Sequence, residues 1–366
     1  MNKWSWQFKG WPEFSFEAAL LKEAEARFLT RAGEFSGVLR HTSDGDKDAL
    51  KVELIGSEAF KTSEIEGEIL DRASLQSSIR RKFGLAASGA KPNKKDAKLA
   101  EEGIAEMMSD LYLNYAKPLT HTQLFAWHKM LMRGQKNLKI GAYRTHADAM
   151  QVVSGTLHDP KIHFEAPPSK QVKSEMDGFI QWFNSSKDLP ILTRASLTHL
   201  YFILIHPFED GNGRIARALT IKALSQGMGQ SSLISLSHAI QNKKKHYYEA
   251  LQRNNQTLKI DDWLGYFSKT ILEAQSHSQS LLTLTIDKGK ILQNLPLNDR
   301  QKKVLNRLFL EEAQGGFAGG LSAENYLSIT KTSRATATRD LQDLLAMKVL
   351  KKTGEGRWTR YLLDRS

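Results

Sequence analysis

The chain has 366 residues, 40% of them hydrophobic and 25% charged, with a formal net charge of +12 and no cysteine. That length suggests two or three domains, and the lack of cysteine excludes disulfides, thiolate catalysis and cysteine–zinc sites. No apolar run approaches the ~20 residues of a membrane span, and the opening MNKWSWQFKGWPEF has no h-region or cleavage site, so a cytoplasmic address without membrane contact is expected. The basic balance fits either an unspecific surface or contact with a polyanion.

Trp4, Trp6, Phe8, Trp11, Phe14 and Phe16 crowd the start of the chain, and their alternation suggests an extended arm laid across an apolar surface. Helical spacing predicts a helix through FSFEAALLKEAEARFLTRAGEF, ending near Gly33. A second amphipathic stretch, DALKVELIGSEAFKTSEIEGEILDRASLQSSIRRKFG, reads as helix broken near TSEIEGE. The connector LAASGAKPNKKDAK follows, then helices in LAEEGIAEMMSDLYLNYA and LTHTQLFAWHKMLM. MQVVSGTLHDPKIHFEAPP predicts a hairpin with a longer loop, Val152 and Val153 before the turn, Ile162 and Phe164 after it, closed by Pro167 and Pro168. Helices return from Ser169 to about His277. After Pro296, three helical segments (DRQKKVLNRLFLEEA, SAENYLSIT, SRATATRDLQDLLAMK) precede two short strands around Gly354-Glu355-Gly356. That is a winged-helix pattern, whose third helix would enter a major groove.

The chemistry concentrates in LIHPFEDGNGRIAR, Leu204 to Arg217. The preceding RASLTHLYFILI is apolar almost all round and should be a buried helix. Pro207 disfavours helical dihedrals at His206, so that helix ends there and the imidazole emerges into a turn. Gly211 and Gly213 permit a tight loop, and the next helix starts at once, so its N-terminal amides form a ready site for phosphate oxygens. Arg214 and Arg217, three apart, share a helix face and can reach one anion. From the residues alone, the loop is either such an anion site or a capped helix–helix turn with surface arginines. The remaining histidines, including His158 and His163 on the hairpin, show no metal-site spacing and read as surface residues.

HPFEDGNGRIAR matches without a gap the HxFx(D/E)GNGRxxR signature of the Fic family, and the chain resembles that family from roughly residue 55 to 275. GAYRT at Gly141–Thr145, the hairpin upstream of the loop and HYYEAL downstream fall in the family's order. The resemblance implies a mainly α fold, a Fic helical core with a β-hairpin flap, and transfer of AMP from ATP to a Ser, Thr or Tyr hydroxyl of a target protein. It makes His206 the general base and Asp210 the ligand of Mg²⁺. Gly211, Asn212 and Gly213 become the anion nest, with Arg214 on the phosphates behind the scissile bond and Arg217 on the γ-phosphate. Tyr247 and Tyr248 resemble an aromatic pair near the nucleotide, though either also fits a core role. Phe208 anchors the loop, and Glu209 has no assigned chemistry. The hairpin, residues 150–166, becomes the flap that docks the target by strand addition. Kinase members carry lysine where Gly213 stands, so Gly213 implies the AMP-transferring orientation.

TSEIEGE resembles the (S/T)xxxEG inhibitory helix, about residues 55–70, of members that carry their brake ahead of the core. Thr62 and Glu66 would share one face, Ile65 and Ile69 would dock the helix, and Gly67 would let it approach another backbone. Glu66 would pair with Arg217 and take it from the γ-phosphate. The expected organisation is 1–115 for arm, helices and brake, 116–290 for the Fic core and 291–366 for the winged helix. Residues 297–366 carry thirteen Lys/Arg against eight Asp/Glu. There Leu341, Leu344 and Leu345 would face the core, leaving Thr336, Thr338, Arg339, Arg357 and Arg360 available to DNA. A DNA-binding regulator that senses nucleotide is the alternative reading, as is AMP removal or transfer of another phosphate-linked group. The family also implies a homodimer.

Overall fold

The computed structural model describes residues 3–85, 98–156, 159–313 and 319–364. Most of the Gly/Ala/Lys-rich connector, and His158, lie outside them. Helix dominates. α1 (Lys22–Arg40), α2 (Asp44–Ile65), α3 (Arg72–Lys82), α4 (Lys98–Leu113) and α5 (His121–Leu131) precede the antiparallel hairpin of β1 (Gln151–Thr156) and β2 (Asp159–Glu165). Next come α6 (Ser169–Ser185), α7 (Ile191–Ile205), α8 (Asn212–Met228), α9 (Leu236–Asn242), α10 (Lys244–Asn254) and α11 (Asp261–Asn294). α12 (Asp299–Ala313), α13 (Ala323–Thr330) and α14 (Arg334–Ala346) lead into a second antiparallel pair, β3 (Leu350–Thr353) and β4 (Arg360–Leu363). Among the described residues no helix is long and apolar enough to cross a membrane.

Packing divides the chain into two compact units, Met1–Arg40 with Lys51–Ser278, and His41–Leu50 with Gln279–Ser366. The division therefore falls within α2 and α11, whereas the sequence pattern divides the chain near 115 and 290. In the first unit α7 is the central post. Its sequence is apolar on every side, and Leu192, Ala195, Leu200, Phe202 and Ile205 are fully buried. The Trp263 indole N–H of α11 donates to the Ser196 carbonyl at 2.8 Å, satisfying a polar group inside this core. The aromatic arm lies on the same body, with Trp11 and Phe14 edge-on to Tyr201 at centroid distances of 5.4 and 5.7 Å.

Four boundaries differ from the periodicity. α1 begins at Lys22, not near Phe14, because Ser15 is drawn into a parallel bridge with Lys259 through bonds to Leu258 and Ile260 of 2.8 and 3.0 Å. α1 also runs through Gly33 to Arg40, a helical glycine costing only about 1 kcal/mol. The hairpin stays paired out to Thr156 opposite Asp159, so its turn is shorter than expected, with an irregularity between Val152 and Val153. α11 continues past His277 to Asn294.

In the second unit three helices pack around Val304, Leu305, Leu308, Tyr326, Leu341 and Leu344, while Leu345 is half-buried. The buried Asp340 carboxylate accepts from Tyr326 Oη at 2.9 Å and Arg300 Nε at 2.7 Å, tying α12, α13 and α14 together. Leu321 adds a backbone bridge to Tyr361 of β4.

Candidate active site

α7 ends at Ile205, and His206 takes a left-handed conformation, φ 50° and ψ 59°. A non-glycine residue holds that conformation only when its surroundings fix it. Arg144, 1% exposed, does so: its Nε donates to the His206 carbonyl at 2.8 Å and its Nη2 to the Pro167 and Ile205 carbonyls at 2.6 and 3.3 Å. One cation thus satisfies carbonyls at the end of α7, where the helix dipole favours positive charge.

The His206 ring contacts the Ile203 carbonyl through Nδ1 at 3.3 Å. A carbonyl only accepts, so Nδ1 carries the proton and Nε2 is left as the basic nitrogen. Burial, then the Arg144 charge, push the imidazole down to about 4, against weaker opposing pulls from the Ile203 carbonyl, Glu66 and Asp210. His206 is therefore neutral at neutral pH, the state a proton acceptor requires.

The loop is braced from within. Phe208 is fully buried and stacks on His128, with centroids 4.2 Å apart and planes 10° apart. His128 Nδ1 accepts from Gly141 N–H at 2.9 Å, so its Nε2–H donates to the Asp210 carbonyl at 3.2 Å. Asn212 closes the turn with reciprocal side-chain bonds to Phe208 N and O of 3.0 and 2.8 Å, which fix its side chain within the loop. Gly211 has φ 80°, which a side chain would strain. Gly213 serves another need: a Cβ there would lie 2.2 Å from Glu66 Oε1, so a side chain would push that carboxylate from its present position.

Glu66 follows α2 directly and reaches Arg217, whose Nη2 donates to Oε1 at 2.6 Å. Arg217 Nε also donates to Thr62 Oγ1 at 2.6 Å, and its Nη2 to the Thr62 carbonyl at 3.0 Å. Burial raises the Glu66 pKa, but the charge and hydrogen bond of Arg217, with Arg214 and Lys244, hold it below the ordinary carboxylate value. Arg214, 2% exposed, pairs with Glu68 at 2.5 Å and more loosely with Asp210 at 3.5 Å. The two arginines therefore meet two carboxylates rather than one shared anion. Lys244 donates to the Ile65 carbonyl at 2.5 Å and so caps the end of α2.

A cavity of about 860 Å³ opens on this assembly, with Glu66, His206, Asp210, Gly213, Arg217 and Tyr248 in its wall. Tyr247 also reaches the wall but is 1% exposed, its hydroxyl donating to His199 Nε2 at 2.8 Å, so most of it is core; Tyr248 is 41% exposed. Gly211, Asn212 and Arg214 are not among the residues that line it. The hairpin contributes Val152, Val153 and Phe164 to the lining of the same cavity. Among the described residues no three His, Cys, Asp or Glu side chains cluster as a metal site. Asp210 offers one exposed carboxylate, Oδ1 fixed by Gly211 N–H at 2.5 Å. A single hard oxygen suits Mg²⁺ whose other ligands are phosphate oxygens and water.

Several expectations need correction. Ile65 is buried, but Ile69 is 94% exposed and docks nothing, because the helix stops before it. Gly67 makes no close approach: its place is set by φ 84°, with open space where a Cβ would stand. His128 and His199 are fully buried and hydrogen-bonded, not surface residues, and His163 lines the cavity. Glu68, Lys244, His128 and Arg144 carry no signal of their role in the sequence; Glu68 stands two residues past Glu66 and Arg144 within GAYRT, but only folding pairs them.

In the second unit the proposed DNA contacts divide. Thr336 Oγ1 bonds Ser333 Oγ at 2.9 Å, Thr338 Oγ1 donates to the Arg334 carbonyl at 3.0 Å, and Arg360 Nη1 donates to the Thr359 carbonyl at 2.9 Å. Arg339 and Arg357 are exposed, the latter stacked 4.9 Å over Trp358.

Residues 118–224 match the profile of the Fic/DOC family, and residues 4–85 match a domain of unknown function, DUF4172. The chain is 30% identical over 89 residues, 24% of its length and 26% of the relative's, to a probable protein adenylyltransferase of Aquifex aeolicus. It is 26% identical over 200 residues, 54% of its length and 42% of the relative's, to the protein adenylyltransferase Fic of Nematostella vectensis. It thus spans less than half the length of these curated relatives. A Fic family protein from Desulfovibrio desulfuricans shares the fold, with TM-score 0.56 at 18% identity over 97% of this chain and 98% of that one.

Proposed function

This chain is a Fic family protein, and from that premise we propose that it transfers AMP from ATP to a protein hydroxyl and is held inactive by its own α2. The observation that carries the transfer reading is His206: a neutral imidazole, proton on Nδ1, lining a cavity shared with Arg217, Gly213 and Asp210. The incoming hydroxyl gives its proton to Nε2 as its oxygen bonds the α-phosphorus. The bond from that phosphorus to the bridging oxygen breaks, and pyrophosphate leaves. Amides at the start of α8, together with Arg214 and Arg217, offset the charge that builds on the phosphates. Asp210 would hold Mg²⁺, which when bound neutralises phosphate charge and orients the leaving group. The flap would fix an extended target segment by strand pairing.

In this reading Glu66 occupies the place of an anionic γ-phosphate on Arg217, and Glu68 does the same on Arg214. Support comes from the two ion pairs and from the void that Gly213 leaves for Glu66 Oε1. The test is mass spectrometry of the chain and added proteins after incubation with Mg²⁺-ATP. A Glu66→Gly form should yield hydroxyl-linked AMP and the His206→Ala form of it none; no adduct with either would refute the reading. A second activity, binding of DNA, is proposed on the exposure of Arg339 on α14 and Arg357 between β3 and β4.

A further inference from the structure

The first residues of the described chain are not merely packed on the core; they grip the flap. Trp6 Nε1 donates to the Glu165 carbonyl at 2.7 Å, and Trp4 meets Phe164 edge-on, centroids 5.6 Å apart at 82°. Between them Ser5 is wholly buried. Its N–H donates to the Asn255 carbonyl at 2.8 Å, and its Oγ donates to the Thr257 carbonyl at 2.9 Å. Asn255 in turn donates from Nδ2 to the His163 carbonyl at 2.7 Å. His163, unpaired where the register shifts, and Glu165 both lie in β2, and both offer their carbonyls to donors from outside the hairpin. Both carbonyls are taken, one by the arm and one by a residue the arm holds.

A two-stranded hairpin alone is marginal in water, and β2 pairs in a sheet with β1 alone among the described strands. Yet Val152, Val153, His163 and Phe164 line the same cavity as His206. That wall needs support from outside the hairpin, and the arm supplies it. We propose that Trp4, Ser5 and Trp6 are positioning residues for the flap: they fix β2, and through it the face that holds the accepting hydroxyl segment against His206. This assigns a role to the opening of the segment matched by the domain of unknown function. Its kinetic consequence rests on the transfer reading; its structural consequence does not.

The test uses the full chain carrying Trp4→Ala and Trp6→Phe. Hydrogen exchange is followed at amides 151–154 and 161–165, and at 212–217 as an internal reference. Losing one hydrogen bond and one aromatic edge contact should speed flap exchange by about five- to tenfold or more, with 212–217 unchanged. In a Glu66→Gly background, the same pair should raise the lysate-protein concentration giving half-maximal labelling while leaving that for ATP unchanged. Unaltered flap exchange, or equal acceleration at 212–217, overturns the inference. If flap exchange rises but no form labels any protein, the transfer reading fails and the grip on the flap stands.

Discussion

Glu68→Gln isolates one half of the clamp on α8. The substitution keeps shape and removes the charge opposite Arg214, whose side chain is 2% exposed while that of Glu68 is 28% exposed. An ion pair with one buried partner lies between the ~0–1 kcal/mol of a surface pair and the ~3–5 kcal/mol lost when a buried pair is broken. About 1–2 kcal/mol is a reasonable figure here, equal to roughly a 5- to 30-fold shift between closed and open clamp. Thr62 and Glu66 would still hold Arg217. Self-labelling with ATP carrying its label at the α-phosphate should therefore rise about 5- to 30-fold over wild type, yet stay below Glu66→Gly. Wild-type labelling in Glu68→Gln, with Glu66→Gly active, would refute the two-carboxylate clamp. So would labelling equal to that of Glu66→Gly.

Other outcomes follow from the same contacts. His206 is held near 4, so a Glu66→Gly form should keep its labelling rate from pH 8 down to about 5.5, where an ordinary imidazole at 6.5 would have removed most of it; an acid limb near 6.5 in the pH profile contradicts this. Arg144→Gln should lower the labelling rate about 100-fold, the scale of a misplaced catalytic group, with ATP affinity by calorimetry little changed. Glu58, buried and bonded to Ser237, is raised by desolvation from 4.5 to about 7. The folded state then binds the extra proton between those values, so stability from this group is present at low pH and falls as pH rises from 4.5 to 7. Glu58→Gln should remove that part of the slope in a series of melting temperatures. Arg339→Ala with Arg357→Ala should weaken DNA retention in a gel shift and flatten its salt dependence; no change would remove the proposed contacts.

Much of the site was legible because its chemistry is local. The Pro207 restriction, the glycine pair and the arginine spacing all act within one turn, and the structure ends α7 and begins α8 where they require. What was hidden depends on distant chain segments. Ser15 left the expected helix to pair with Lys259, Arg144 joined carbonyls from two separate stretches, and His128 met Phe208 across the core. Period alone cannot register such partners. Ile69 shows the opposite error, in which a helical face was extended beyond the last turn that had a surface to pack on.

The central claim, transfer through His206 under restraint by Glu66, is tested most directly by comparing wild type, Glu66→Gly and Glu66→Gly with His206→Ala in cell lysate. Each is supplied with Mg²⁺ and ATP labelled at the α-phosphate. The account predicts strong protein labelling with Glu66→Gly, little with wild type and none without His206. Equal labelling of the first two would contradict the restraint, and labelling that survives His206→Ala would contradict the mechanism.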